Sequence, residues 1–415
     1  MNAPLWKRLV RQPSDQRPIC SFPVPTLVPV MPLSQSLDQK IRRGATTATD
    51  PAQVASELAR DLRQDDLSLV LLFITPERAT PELVEAVHRE FGQTLVVGCT
   101  TAGEITPEGY THGTVTGVSF AAPDFHVAAR RIPDTRLFSV ADGPALVQGC
   151  LRELEIKAPD WPQGQVFAML LIDGLDACEE NVVSALHREL GPIPLFGGSA
   201  GDELSFRQTN ILWDGGLHRH SAILMLVATN HPFRVFKTEH FASGSEKMVV
   251  TEADPARRIV REINAEPAAE EYARMVGLEA EPLTPMVFAN HPVVVRVGNV
   301  PYVRSIQKVN PDNSLTFFCA IDEGIVLTVA KALDISEDLG RLFDDLRQNI
   351  RQPEVIIGCD CLFRGLEMRK KGLEKTVSDL MVANNVVGFH TYGEQFHAMH
   401  VNQTFTGVAI GRREE

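Results

Sequence analysis

"VVGCTTAGEI" at residues 96–105 and "LFGGSAGDEL" at residues 195–204 follow one plan. In each, a short apolar run ends in a loop of glycine and other small residues, and an acidic residue follows. Each is preceded by a helical pattern. "TPELVEAVHREFG" has Thr80 as cap and Gly92 as stop, and "CEENVVSALHRELG" has the same apolar spacing. Upstream of each helix lies a continuous apolar run, "LSLVLLFIT" or "QVFAMLLIDGL", which reads as a buried strand. Strand, helix, strand and small-residue loop, written twice, predict a duplicated α/β unit.

Working outward, "DPAQVASELARDLRQ" opens a helix, with Asp50 as cap and Pro51 at the first helical position. "GTVTGVSFAA" and "FHVAARRI" read as adjacent antiparallel strands, and "HSAILMLVATN" as another strand. The character changes near "MVVTEADPARRIVREINAEPAAEEYARMVG", where a strand leads into a helix from Pro267. Beyond it, strands are expected at "PVVVRVG", "YVRSIQKVN", "SLTFFCAI", "VLTVAKAL", "EVIIGCDC", "VVGFHTYGE" and "QTFTGVAIG". "ISEDLGRLFDDLRQNI" and "FRGLEMRKKGLEKTVSDLMVAN" each read as one helix. The expected fold is α/β (α+β): two halves with mixed β-sheets flanked by helices, the first half duplicated within itself. The expected boundaries are an extension over residues 1–45, a first domain over 46–262 and a second over 263–415. The extension contains "ICSFPVPTLVPVMPLSQSLDQ", which is Pro-rich and aperiodic and reads as disordered. Met31 within it reads as an alternative start.

A chain of 415 residues exceeds one ordinary core. Its net charge of -13 argues against a phosphate-rich partner, and "RKK" at residues 369–371 reads as a solvated helix end. No apolar run reaches about 18 residues, so no transmembrane helix is expected. The basic N-terminus has no apolar segment after it, which argues against a secretory signal. Seven scattered cysteines suit a reducing cytoplasm. Cys359 and Cys361 alone do not make a closed zinc site, which needs four ligands.

The candidate chemistry lies near the end, in "GFHTYGEQFHAMHVNQTFTGVAIG", residues 388–411. His390, His397 and His400 read as core residues, metal ligands, catalytic bases or the axial grip on a haem. Neutral imidazole is a strong axial donor. In a regular strand His397 and His400 face opposite ways, so one of the three, not all, is the expected ligand. Tyr392 and Phe396 would line such a pocket, and Met399 would pack or ligate. Glu394 could orient a histidine or bind an amine, and Arg364 could pair with a carboxylate. The glycine loops at 98–103 and 197–202 expose N–H groups that favour an anion, or are simply tight turns. The second also fits G-x-S-x-G, with Ser199 as an esterase nucleophile. His218 and His220 sit on the return strand of a hairpin, "WDGGLH", and offer a metal site.

Taken together, "VVGCTTAGEI", "PLFGGSAGDE", the junction "INAEPAAEEYA", the strand-to-helix turn at Cys361, Arg364 and Gly365, and "GFHTYGE...HVNQT" resemble the FIST sensory domains of bacteria, N-terminal and C-terminal parts, over residues 50–411. The closing stretch looks most like the stand-alone FIST proteins that bind haem and sense nitric oxide. That resemblance implies a cytoplasmic sensor with a b-type haem. It implies His400 as lead axial ligand, His390 and His397 as alternates, and Tyr392, Glu394 and Arg364 about the ligand. It further implies signal transduction to a partner histidine kinase, diguanylate cyclase or phosphodiesterase, in a two-component or cyclic-di-GMP pathway governing biofilm. It leaves a homo-oligomer open and implies neither nucleic acid nor membrane as partner. The second reading is a haem-free FIST module that binds a small molecule such as an amino acid. The third is an esterase using Ser199. A non-enzymatic role is expected.

Overall fold

The computed structural model describes residues 40–413, apart from 160, 162–164, 280 and 298–299. The expected disordered extension, and Met31 with it, lies outside these residues up to residue 39. The expected boundary at 45 is corrected: Ile41–Thr46 is a strand, β1, pairing antiparallel from Ile41↔Phe120 to Thr46↔Val115.

The first repeat runs β1, α1 (Pro51–Leu62), β2 (Leu67–Ile74), α2 (Pro81–Phe91), β3 (Val96–Thr100), β4 (Glu104–Thr106), β5 (Gly109–Thr111) and β6 (Val115–Ala121). Both helices start where their caps predict. Asp50 accepts from Gln53 N at 2.9 Å and Thr80 from Leu83 N at 3.3 Å, satisfying N–H groups that the first turn leaves free. The second repeat has the same order: β7 (Phe125–Ile132), α3 (Gly143–Lys157), β8 (Val166–Ile172), α4 (Glu179–Leu190), β9 (Leu195–Ser199), β10 (Ile211–Trp213), β11 (Gly216–His218) and β12 (Ala222–Thr229).

The duplication extends to a third copy, interrupted once. It begins with β13 (Phe233–Thr238). An inserted module follows: β14 (Phe241–Asp254), β15 (Ile259–Ile263), β16 (Glu266–Pro267), α5 (Ala268–Val276), α6 (Pro285–Asn290), β17 (Val293–Val297), β18 (Val300–Arg304), β19 (Ile306–Val309), β20 (Leu315–Phe317) and β21 (Val326–Ala332). The repeat resumes with α7 (Ile335–Ile350), β22 (Pro353–Cys361), α8 (Leu362–Lys371), α9 (Glu374–Ala383), β23 (Val386–Thr391), β24 (Glu394–Phe396), β25 (Met399–Val401) and β26 (Phe405–Gly411).

Each repeat lends its short hairpin to another repeat's sheet. The strand orders are β1-β6-β2-β3-β10-β11, β7-β12-β8-β9-β24-β25 and β13-β26-β22-β23-β4-β5. In every sheet two long strands run parallel side by side, and the remaining neighbours are antiparallel, so all three are mixed. Their inner faces meet in one core: Leu71 and Phe73 from the first, Met169 and Phe196 from the second, Ile357 and Phe389 from the third. Phe73 stacks on Phe389 across repeats, centroids 4.7 Å apart. The alternate residues Val70, Leu72 and Ile74 point outward and are covered by α1 and α2. The two expected α/β halves are thus interlaced.

Three local expectations are corrected. β6 and β7 do not pair with each other, because β7 opens the second repeat and pairs with β12 instead. "YVRSIQKVN" divides at Ser305 into β18 and β19, which join different partners. The long helix expected after Cys361 is two, because Gly372 takes a left-handed φ of 67° and caps α8. Among the described residues no helix is long and apolar enough to cross a membrane.

Candidate functional site

The loop after the third long strand of each repeat forms one common centre. Gly98, Gly197 and Gly388 hold equivalent places: a Cβ on any of them would stand 2.2, 2.1 or 1.9 Å from the carbonyl oxygen of Leu72, Leu170 or Gly358. Only glycine permits strands this close. Beyond them the loops bond to one another. Ala102 N donates to His390 O at 2.9 Å, His390 N to Gly103 O at 2.8 Å, and Gly201 N to Thr100 O at 3.0 Å. Ser199 N donates to Gly393 O at 2.8 Å and Tyr392 N to Ser199 O at 3.3 Å. The anion cradle expected of the two glycine loops is therefore not what their amides form; these N–H groups are spent on neighbouring loops.

His390, on β23, is buried beside this centre. Its ring stacks on Tyr110 with centroids 4.8 Å apart and planes 7° from parallel. Gly103 and Gly365 leave room for it: a Cβ on either would stand 3.0 Å from the imidazole. Nδ1 lies 3.4 Å from Asp360 O and 3.7 Å from its carboxylate, which puts the proton on Nδ1 and leaves Nε2 as the lone-pair nitrogen. Burial lowers the His390 pKa, against the pull of Asp360, so the ring is neutral at neutral pH.

Asp360 anchors a buried chain. Tyr110 OH and Arg364 Nε donate to its two oxygens, each at 2.6 Å. Arg364 Nη1 donates to His240 Nδ1 at 2.8 Å, and His240 Nε2 donates to Glu367 at 2.7 Å. Arg364 is fully buried and serves this chain. Its expected place beside a ligand carboxylate is corrected, since it does not line the cavity that His390 borders.

That cavity encloses about 340 Å³ and draws on all three repeats. Ala102, Tyr110 and His112 come from the first, Glu203 and Leu204 from the second, and Leu362, Leu366, Met368, Arg369, Glu374 and His390 from the third. Arg369 Nη2 donates to His112 Nε2 at 2.9 Å, and Arg369 Nε lies 3.3 Å from Glu374. The wall therefore offers both signs of charge over an apolar floor.

The other expected ligand residues lie elsewhere. His390, His397 and His400 do not share a strand: His397 is in the turn of the β24–β25 hairpin with φ 53°, and His400 is on the returning strand. His397 is half-buried against Phe396, and burial lowers its pKa. His400 is buried, and among the described residues its Nε2 has no hydrogen-bond partner. A haem does not fit there, because Gly393 closes on the ring and none of the described cavities is lined by His400. Tyr392 is buried and its hydroxyl donates to Asp202, joining two repeats. Glu394 accepts from Thr404 N at 3.1 Å and Oγ1 at 2.8 Å, and burial holds its carboxyl well above the usual range. Both are braces between loops and do not face the cavity.

Ser199 is buried and its Oγ accepts from Gln395 Nε2 at 3.0 Å. An amide N–H cannot take the serine proton, so this contact activates no nucleophile. His220, Asp173 and Asp176 cluster closely enough to hold a metal. Yet Asp173 already accepts from Thr209, Leu175 N and His220 N, and Asp176 from Thr135 and His220 Nδ1. His218 instead meets Trp213 O at 3.1 Å.

Tyr110, His112, Glu203 and Glu374 were not singled out from the sequence, and Arg369 was read there only as part of a solvated helix end. Their signal is weak, because they converge only through the exchanged hairpin. Tyr110 and His112 do, however, occupy the places of His400 and Asn402 when "EITPEGYTHGT" is laid on "EQFHAMHVNQT".

Comparison with known proteins finds two domain matches. Residues 68–266 match the FIST N domain and residues 268–397 the FIST C domain. No curated protein matches the chain. Among solved structures, a cyanuric acid hydrolase from A. caulinodans matches at 9% identity and a TM-score of 0.27, over 46% of this chain and 71% of its own. A second cyanuric acid hydrolase matches at 9% identity and a TM-score of 0.35, over 89% of this chain and 99% of its own. Likeness at this level bears on no chemistry.

Proposed function

We propose that this chain, which belongs to the FIST family, is a signal-transduction sensor that reads a small zwitterion of the amino-acid type in the His390 cavity. The observation that carries this is the composition of the wall. Arg369 and His112 suit a carboxylate, Glu203 and Glu374 suit an ammonium group, and Leu362, Leu366 and Met368 suit a short apolar side chain. A volume of about 340 Å³ admits an amino acid. Because the wall comes from three repeats, a ligand there bridges them, and the occupied and empty forms would present different surfaces to a partner. That partner is proposed to be a histidine kinase or a cyclic-di-GMP enzyme. The test is calorimetric titration with the twenty amino acids, followed by Arg369→Ala. Saturable binding that weakens at least about tenfold in the variant is expected, the value of a charge-assisted hydrogen bond. Absence of binding across the panel sinks the reading.

Nitric oxide sensing through haem is the second reading, and one observation moves it from His400 to His390. The Nδ1–H of His390 is anchored by Asp360, as a carbonyl or carboxylate anchors the far nitrogen of a metal-bound imidazole, and Nε2 keeps its lone pair. A bound haem would supply the iron that takes nitric oxide. The chain's own part would be to hold the imidazole, with Arg369 placed for a propionate. Reconstitution with haem tests it. A Soret band that is lost in His390→Ala and kept in His400→Ala supports this placement, and a colourless protein removes it.

A further inference from the structure

We propose, resting on the amino-acid reading of the His390 cavity, that its ligand is a β-hydroxy amino acid of the threonine class, whose hydroxyl donates to His390 Nε2. The cavity is graded from mouth to floor. His112, Arg369 and Glu374 are exposed, the last two with 49% and 55% of the side chain open, and they stand at the mouth. His390, Leu362, Leu366 and Met368 are buried and form the floor. Arg369 Nε lies 3.3 Å from Glu374. The groups that suit a carboxylate and an ammonium are thus neighbours, as those two charges are on one α-carbon. They hold the charged end of the ligand at the mouth, and its side chain points to the floor.

On the floor, His390 Nε2 wants a partner. His390 is 4% exposed, and among the described residues only its Nδ1 side is engaged, by Asp360. With the proton on Nδ1, Nε2 accepts and does not donate. Gly365 lines the same cavity, and a Cβ on it would stand 3.1 Å from Nε2. This edge of the ring therefore faces a residue with no side chain to cover it. The donors beside it are spent: Tyr110 OH on Asp360, Ala102 N on His390 O and His390 N on Gly103 O.

A ligand that enters displaces water from Nε2, and an apolar side chain would leave that acceptor buried and unpaired. An ammonium does not suit the place. The Asp360 carboxylate is taken by Tyr110 and Arg364, and a buried charge needs an opposite one. A carboxamide brings two hydrogens and an oxygen to a nitrogen that takes one hydrogen. A hydroxyl brings the one hydrogen. A methyl on the same carbon packs on Leu362, Leu366 and Met368, and threonine carries both groups.

The experiment is calorimetric titration of the full chain with threonine against its isostere valine, and with serine against alanine. Threonine should bind at least about tenfold tighter than valine, and serine tighter than alanine, because the analogue without the hydroxyl leaves Nε2 unpaired. His390→Phe should erase the difference within each pair. If that variant does not fold, the ¹⁵N signal of His390 Nε2 in the wild type decides. Saturation with threonine should move it upfield, as acceptance of a hydrogen bond requires, and an unmoved signal overturns the proposal. Equal affinities for threonine and valine overturn it too, and leave the amino-acid reading standing. So does a threonine preference that His390→Phe retains, which would place the hydroxyl elsewhere on the wall. Binding confined to amino acids without a hydroxyl has the same meaning, whereas binding by none of the twenty sinks both.

Discussion

Glu104 and Glu394 make the same contacts in different copies of the repeat. Glu104 accepts from Thr114 N at 3.1 Å and Thr114 Oγ1 at 2.8 Å; Glu394 accepts from Thr404 N at 3.1 Å and Thr404 Oγ1 at 2.8 Å. Each glutamate opens an exchanged hairpin, and each threonine closes it, ten residues on. The side chain thus ties the base of a hairpin that is packed on a foreign sheet. Both are fully buried, and repetition of the contact in two places marks Glu394 as a structural brace.

This brace makes stability depend on pH. Burial raises the Glu104 pKa to about 7, whereas an unfolded glutamate titrates near about 4.3. Below the lower value both states are protonated. Between the two, the unfolded chain releases a proton that the folded chain keeps, so stability falls as pH rises. The loss through Glu104 is on the order of 3 kcal/mol and levels off above about pH 7. Glu104→Gln mimics the protonated acid. Urea unfolding from about pH 5 to pH 8 should show a shallower decline in the variant than in the wild type. Parallel curves would mean that Glu104 is ionised in the fold.

Among the described residues, Asp360 is the one anionic group at hydrogen-bond distance from the fully buried Arg364 guanidinium, whose Nη2 lacks a partner. Asp360→Asn should cost about 3–5 kcal/mol, because it leaves a buried charge uncompensated. Arg364→Met in the same chain should recover a substantial part of that loss. The urea midpoints of the single and double variants check this. Equal losses in both would assign the cost to Asp360's other contact, Tyr110.

Gly197→Ala should destabilise more than about 2 kcal/mol, a size reserved for core overpacking and strain. Its Cβ would meet a backbone carbonyl, which has no rotamer to escape into. Gly92→Ala is the contrast. At φ 59° it carries backbone strain but meets nothing within 4 Å, so its cost should be smaller, about 1 kcal/mol. Thermal melts of the two variants give the ranking.

The sequence made two of the three repeats legible because their long strands, helices and glycine loops are contiguous and alike. The third copy carries the same marks. Gly388, Glu394, Thr404 and Gly407 have the spacing of Gly98, Glu104, Thr114 and Gly117. It is hidden because the inserted module separates β13 from α7, and because histidines draw the eye to metal chemistry. The hairpin exchange left no mark at all. Three-residue strands such as β4 and β24 have no period to read, and their partners lie far along the chain. Hence Arg364, Tyr392 and Glu394 read as ligand residues and stand as braces, while Tyr110 on the cavity wall went unread and Arg369 read as a solvated helix end.

The same exchange predicts that the two FIST domains cannot be separated. A cut at residue 267 falls inside the inserted module, where β15 pairs with β16. It leaves β4 and β5 in the first fragment, although β4 pairs with β23 in the second. It also takes β24 from β9, and β26 from β13. Exposed strand edges and half of a shared core would remain on each side, with Phe73 losing Phe389. Burying an aromatic side chain is worth about 1.5–3 kcal/mol, and the shared core loses several. Fragments 40–266 and 268–413, expressed apart, should therefore lack cooperative unfolding. Mixed after co-refolding, they should form a stoichiometric complex with the dispersed NMR spectrum of the intact chain. A cooperative melt of either fragment alone would show that the hairpins are ornaments on independent domains and are not what locks the three sheets together.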